Sequence, residues 1–245
     1  SRFILTALLR RFVFCCTFPK VTLGCYTLGC AAPLNCMDSV VCMGAGFSAG
    51  MGIAKSFEKE GVTGKVVFGV VGDSTFFHSG MTGAAEIVYN KGRMIPCVLD
   101  NRITGMTGHQ DNPGTGYTLQ GDPTALLSVE KILTALGFAP VLTVDPQDLK
   151  AMKAAVDQAV SALDAGQQPA IVTRRPCLLI KRDKFRKGMC HVNADKCRSC
   201  RSCLKVGCPA ISLENGKAVI DRTQCVGCTV CAQVCPFDAI EKEEK

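Results

Sequence analysis

KVVFGVVGDS (residues 65–74) and MIPCVLDN (residues 94–101) decide the fold. Each is a short apolar run that ends abruptly in polar residues, the pattern of a strand buried on both faces of a parallel sheet. Longer segments with helical spacing alternate with such runs. Residues 44–59, Gly-rich at first, read as a helix, and 79–90 as another with Ser79 as its N-cap. Residues 123–136 read as a third helix, then 141–144 as a strand. Helical spacing of Leu149, Met152, Ala155, Val156, Val160 and Leu163 predicts a helix over 147–163, before a strand at 170–173 that closes the sheet. Strands alternating with helices predict βαβ units, hence an α/β domain: a parallel sheet flanked by helices. The stretch 104–121 carries five glycines and no periodicity, too long for a mere connection.

The two quoted runs also predict a site. One crossover separates them, so Asp73 and Asn101 arrive side by side at the carboxyl edge of the sheet, where open α/β sheets bind ligands. A carboxylate with a side-chain amide oxygen suits Mg²⁺, a hard cation that keeps waters and takes further ligands from substrate phosphates. Gly72 lets backbone approach, and Ser74 stands at the turn. Strand-end Asp and Asn also serve plain turn chemistry. Gly44, Gly46, Gly50 and Gly52 look like a phosphate loop only superficially. No basic residue or Ser/Thr follows in the right register, so close helix packing is their expected role.

A second signal lies in the tail. Of 17 cysteines, eight form two runs, Cys197-x2-Cys200-x2-Cys203-x4-Cys208-Pro209 and Cys225-x2-Cys228-x2-Cys231-x3-Cys235-Pro236. Repeated runs of this spacing predict two [4Fe–4S] clusters, with the fourth cysteine of each run reaching the other cluster. Cys197, Cys200, Cys203 and Cys235 then hold one, and Cys225, Cys228, Cys231 and Cys208 the other. A zinc ribbon or a disulfide framework is the alternative, but zinc ribbons use CxxC pairs and have no need of a repeated run ending in Cys-Pro. The x4 spacing adds Gly207, which is expected to bulge without removing a ligand. It leaves [3Fe–4S] open for that run.

The front has room for one sizeable α/β domain, at roughly 100–200 residues per domain. The boundaries read as 24–180 for that domain, 181–189 for a basic linker and 190–245 for a small two-cluster ferredoxin-like α+β domain. Residues 1–23 read as a remnant of upstream sequence, and the chain as a C-terminal fragment. No apolar run approaches the ~20 residues of a membrane span, and Arg10 and Arg11 interrupt the early apolar stretch before a signal sequence could form. Scattered cysteines (Cys15, Cys16, Cys25, Cys30, Cys36, Cys42, Cys97, Cys177) beside cluster ligands argue for a reducing, cytoplasmic setting. The net charge of +7 comes mostly from Arg174, Arg175, Lys181, Arg182, Lys184, Arg186 and Lys187. No aromatics interleave with them, so a solvated linker is favoured over a nucleic-acid surface. An acidic electron carrier is also a fitting partner for such a patch.

Gly72-Asp73-Ser74 followed by Asn101 resembles the thiamine-diphosphate motif. Four stretches, LGCYTLG (23–29), GDSTFFHSGMTG (72–83), LDNRITGMTGHQDNPGTG (99–116) and GCPAIS (207–212), are similar to the large subunits of indolepyruvate ferredoxin oxidoreductases. The resemblance implies that Asp73, Asn101 and the main-chain carbonyl of Ile103 bind Mg²⁺, which grips the cofactor diphosphate. It adds Gly24, Cys25, Gly72 and Ser74 to the thiamine-binding set, with Cys25 and His109 as catalytic candidates and His78 near the diphosphate. Inert burial is the plain alternative for Cys25, and a loop hydrogen bond for His109.

The implied activity is oxidative decarboxylation of a 2-oxo acid, indolepyruvate first. Electrons pass one at a time through the clusters to an external ferredoxin, and coenzyme A takes the acyl group. Pyruvate, 2-oxoglutarate or another 2-oxo acid remains an alternative substrate, and an electron-transfer subunit without its own catalysis an alternative function. In this family a pyrimidine-binding domain supplies the glutamate that activates thiamine. Residues 1–23 are too short for it, so that domain and a small β/γ-type subunit are expected as partners.

Overall fold

The structure, a computed structural model, describes residues 20–21, 25–180 and 188–243. Gly24, almost all of the expected upstream remnant and the linker basic residues from Lys181 to Lys187 lie outside the described residues.

The chain runs β1 (Lys20–Val21), α1 (Ala45–Lys59), β2 (Val67–Gly72), α2, β3 (Met94–Asp100), α3 (Val129–Leu136), β4 (Val141–Val144), α4 (Leu149–Asp164) and β5 (Ala170–Arg174). Helix α2 is continuous: Asp73–Thr75, a π-helical turn at Phe76–Gly80, then Met81–Tyr89. The sheet order is β1-β2-β3-β5-β4 and every pairing is parallel. Pleating sends alternate residues to opposite faces. Phe68, Val70, Ile95, Cys97, Leu99 and Ile171 pack with Leu149, Met152, Val156 and Leu163 of α4. Val67, Val71, Met94, Val98 and Val172 pack with Phe47 and Met51 of α1, Ile87 of α2 and Leu133 of α3. Both faces are thus covered, which is why the strands read as unbroken apolar runs.

Gly44, Gly46 and Gly50 serve packing, as expected, whereas Gly52 faces open space. A Cβ at Gly69 in β2 would stand 2.6 Å from the Gly46 carbonyl oxygen, so α1 lies directly on the strand. Gly44, in the left-handed conformation (φ 91°), precedes α1, and a Cβ there would meet Ser79 Oγ at 2.1 Å.

Three local expectations need correction. Helix α2 begins at Asp73, straight off β2, so Ser79 is no cap; its hydroxyl bonds back to the Thr75 carbonyl inside the π turn. Residues 123–128 are held in the loop by Thr124 N–H on Gly116 and Leu127 N–H on Pro113, which delays α3 until Ser128 accepts the Lys131 amide as cap. Strand β5 does not close the sheet at an edge but inserts between β3 and β4.

The tail folds as β6 (Cys190–Val192), a 3-10 turn (Ser202–Val206), β7 (Ile211–Glu214), β8 (Lys217–Ile220), α5 (Val230–Gln233) and β9 (Ile240–Lys242). Strands β6 and β9 pair antiparallel, and β7–β8 is a hairpin. The hairpin turns on Asn215-Gly216, both at positive φ, as a tight two-residue turn demands. The module docks beside the start of α4: Val206, Val230 and Val234 join the core on that face. Gln233 fastens the joint, its Oε1 accepting from the Leu149 amide (3.0 Å) and its Nε2 donating to the Gln147 carbonyl (2.8 Å). Gly207, the extra residue of the x4 spacing, sits at φ 68° against Leu34. No helix among the described residues is long and apolar enough to cross a membrane.

Candidate functional site

Strands β2 and β3 pair with Gly72 opposite Leu99, which brings Asp73 and Asp100-Asn101 together at the carboxyl edge. Asp73 is 2% exposed and Asp100 3%. The Ser74 amide donates to Asp73 Oδ1 (2.7 Å), and Asn112 and the Arg102 amide lie close enough to favour the ionised form, yet Oδ2 is buried without a partner. Burial first, and the negative charge of Asp100 second, push the Asp73 carboxyl up to about 7 despite these neighbours. A cation would answer this buried oxygen, and the donor set of Asp73 and Asn101 fits Mg²⁺. Asn101 Oδ1 accepts from the Ile103 amide (3.1 Å), which folds the chain so that Ile103 is buried beside the site.

Asp100 is neutralised from two sides: Arg174 Nε of β5 lies 2.8 Å from Oδ2, and Arg102 Nε 3.3 Å from Oδ1. Arg174 also pairs with Glu130 at the start of α3, and Arg175 with Asp145. These two arginines are therefore not part of a solvated linker. They are drawn into the sheet edge by buried and half-buried carboxylates. Spacing gave no sign of Arg174, Arg102 or Asn112, because each reaches the site from a different strand end or loop.

Among the catalytic candidates, Cys25 opens a 3-10 turn (Cys25–Cys30), and its side chain lies outside what is described. His109 is exposed, at φ 67°, with its amide on the Thr104 carbonyl, so its position is that of a loop tip. His78 is exposed in the π turn. Cys97, fully enclosed in β3, has its thiol pushed up to about 12 by burial, and is inert packing.

After β5 the chain forms a strap past the site. The Arg175 amide donates to the Asp100 carbonyl (3.0 Å) and the Cys177 amide to that of Asn101 (2.9 Å). Cys177 and Ile180 pack on Ile103. The next side chain along, Leu178, lines a cavity of the tail module.

That module holds two cavities. One is lined by Cys197, Cys200, Cys203 and Cys235. The other, the roomier, is lined by Cys208, Cys225, Cys228 and Cys231, with Leu178 and a further cysteine, Cys190. The cysteines fall into the two crossed sets that the spacing predicts. Both cavities are wrapped by the same backbone: Ser199 and Arg201 in one run, Gly227 and Thr229 in the other, occupy matching left-handed positions between cysteines. Among the described residues no three His, Cys, Asp or Glu converge on a point where one metal ion could sit. The thiols stand around spaces, which suits clusters better than single zinc ions.

The surroundings differ. Cys200 is exposed, between exposed Arg198 and Arg201. Backbone hydrogen bonds from Ala218 and Ser199 hold the Cys197 thiol low, and the Ser202 hydroxyl does so for Cys200. In the other cavity Cys208 and Cys228 pack against the α4-face core, and burial pushes their thiols up.

Residues 22–173 match the family model of the thiamine pyrophosphate enzyme C-terminal TPP binding domain, and 218–241 that of a 4Fe-4S binding domain. The chain is 40% identical over 235 residues to indolepyruvate oxidoreductase subunit IorA of Thermococcus kodakarensis, covering 89% of this chain and 36% of that one. The Pyrococcus abyssi counterpart is 39% identical over 236 residues, covering 90% and 36%. The chain thus spans about a third of the length of these relatives. In fold it resembles 2-oxoglutarate:ferredoxin oxidoreductase from Magnetococcus marinus, solved with 2-oxoglutarate, coenzyme A and succinyl-CoA bound. That match has a TM-score of 0.56 at 16% identity and covers 71% of this chain and 61% of that one.

Proposed function

From the premise that this chain belongs to the thiamine pyrophosphate enzymes, whose C-terminal TPP-binding domain it carries, we propose that it serves oxidative decarboxylation of a 2-oxo acid with ferredoxin as electron acceptor. Indolepyruvate is the favoured substrate and coenzyme A the acyl acceptor, as the names of its relatives and the ligands of its fold neighbour suggest. One observation carries the reading: a single chain joins an orphaned buried carboxylate oxygen at a sheet edge to two four-cysteine cavities.

In this reading Asp73, Asn101 and the Ile103 carbonyl hold Mg²⁺ on the cofactor diphosphate, with Gly72 giving the backbone room and Ser74 fixing one carboxylate oxygen. Gly24 and Cys25 complete the thiamine-binding set. Asn112 orients Asp73, and Arg174 and Arg102 cancel the charge of Asp100 so that it does not compete for the cation. Bound thiamine diphosphate supplies the carbanion chemistry and the electron sink that the protein's side chains lack. Cys208, Cys225, Cys228 and Cys231 hold an inner [4Fe–4S] cluster, and Cys197, Cys200, Cys203 and Cys235 an outer one. A cluster held in the inner cavity would be the one nearer the sheet edge along the chain, because the strap after β5, bonded to Asp100 and Asn101, carries Leu178 onto its wall. A cluster in the outer cavity, lined by Arg198 and Arg201, would suit electron transfer to an acidic carrier. A pyrimidine-binding domain and a small partner subunit complete the active centre.

A pure electron-transfer role leaves the orphaned Asp73 oxygen without a purpose. Anaerobic addition of indolepyruvate, pyruvate or 2-oxoglutarate to the assembled holoprotein, with iron–sulfur absorbance followed, tests the reading. Bleaching by indolepyruvate ahead of the others is expected. Bleaching only by pyruvate or 2-oxoglutarate would move the substrate, and none by any 2-oxo acid would reject the enzyme.

A further inference from the structure

Cys190 belongs to neither cysteine run, yet it opens β6 on the wall of the inner cavity and is 1% exposed. Its backbone N–H donates to Cys225 Sγ at 3.3 Å. Cys231 lines the same wall, and its thiol is the group that acts most strongly on that of Cys190. The inner cavity therefore has five cysteines and the outer one four. Pairing with Lys242 of β9 fixes the strand that carries Cys190, so the thiol is held there by the fold.

We propose that Cys190 is a reserve ligand of the inner [4Fe–4S] cluster, able to take over the iron site of Cys231. The inference rests on the reading of this cavity as a cluster site. In the exchange the Cys190 thiol forms one Fe–S bond as the bond from that iron to Cys231 breaks, and the proton of Cys190 passes to the departing Cys231 thiolate. No electrons move. A cluster whose thiolate is oxidised or removed keeps four protein ligands. Among the described residues the outer cavity has no such reserve, although its Cys200 is exposed.

The test is iron content and the electron paramagnetic resonance of the dithionite-reduced, desalted holoprotein, compared with wild type. Wild type and Cys190→Ala should both hold about eight irons per chain, as two four-iron clusters demand. Cys231→Ala should keep about eight and retain the magnetic coupling of two reduced clusters, whereas Cys190→Ala/Cys231→Ala should fall to about four. Cys203→Ala, at the matching outer position, should lose its cluster or convert it to [3Fe–4S]. If wild type is full and Cys231→Ala alone drops to four irons or shows a [3Fe–4S] signal, the reserve role is wrong while the cluster reading stands. If wild type itself lacks a second cluster, both fall. Should Cys231→Ala not fold, Cys190→Ala puts the same question without removing a ligand: its inner cluster should decay several-fold faster in air than wild type. Equal rates overturn the proposal.

Discussion

The two cysteine cavities share one backbone design and live in different surroundings. Matching left-handed residues, Ser199 and Arg201 against Gly227 and Thr229, shape both runs. The outer cavity then opens beside the exposed thiol of Cys200, among arginines. The inner one presses Cys208 and Cys228 onto the α/β core and gains a fifth cysteine and a leucine from the strap. Local sequence makes a cluster site. What surrounds that site depends on what the rest of the chain packs against it, and here packing sets one site against the α/β core and leaves the other beside an exposed thiol.

The largest expected effect breaks one cavity and spares the other. Cys235→Ala should empty the outer cavity, though Cys235 sits in the second run, and reduce iron from about eight to about four per chain. Cys208→Ala should empty the inner cavity and, since Cys208 packs against the α4 face, also loosen the docked module. Iron analysis with chemical denaturation separates the two outcomes; equal destabilisation by both variants would contradict the contrast.

Cutting upstream of both cavities is the next test. Asp73→Ala should weaken Mg²⁺-dependent thiamine diphosphate binding by at least about 100-fold, because losing even outer partners of a metal ligand costs about 10–100-fold. Asn101→Ala should weaken it less. Both variants should keep wild-type iron, and titration calorimetry reads the difference.

A smaller effect follows from the protonation of Asp73. Its folded value, raised to about 7, means that the metal-free native state binds the extra proton between the unfolded carboxylate range and neutrality. Its contribution to stability is therefore full below about pH 4 and is lost as pH rises through 7. Thermal unfolding without Mg²⁺ should show this decline, and saturating Mg²⁺ should flatten it by holding the ionised form. The same slope with and without Mg²⁺ would remove the cation from this site.

The least disruptive change is Gln233→Ala. It deletes both hydrogen bonds to the start of α4 and leaves the Leu149 amide and the Gln147 carbonyl unanswered, a cost of about 1–3 kcal/mol. Hydrogen exchange should quicken at Leu149 and around the inner cavity, with Leu213 and Ala218, which face the outer one, unchanged.

Sequence spacing carried the cysteine sets because cluster ligation is local within each run, and the crossing follows from the Cys-Pro that ends it. It carried Asp73 and Asn101 because both end buried apolar strands, whose parallel pairing is legible from the runs themselves. Arg174, Arg102 and Asn112 were not legible. Each comes from a separate strand end or loop, and only the insertion of β5 beside β3 makes Arg174 a neighbour of Asp100. Cys190 carries no spacing signal either, since its place on the inner wall depends on the β6–β9 pairing. The early start of α2 escaped for a simpler reason: Gly72-Asp73-Ser74 reads as a turn, and the Asp73 carboxylate that holds the Ser74 amide turns it into a helix start.

The expectation that the inner cluster takes electrons first is tested most directly in the Cys235→Ala holoprotein, frozen after mixing with the 2-oxo acid and examined by electron paramagnetic resonance. The account predicts that substrate still reduces the one remaining cluster while reduction of ferredoxin is lost. A remaining cluster that stays oxidised, or ferredoxin reduced at the wild-type rate, would contradict it.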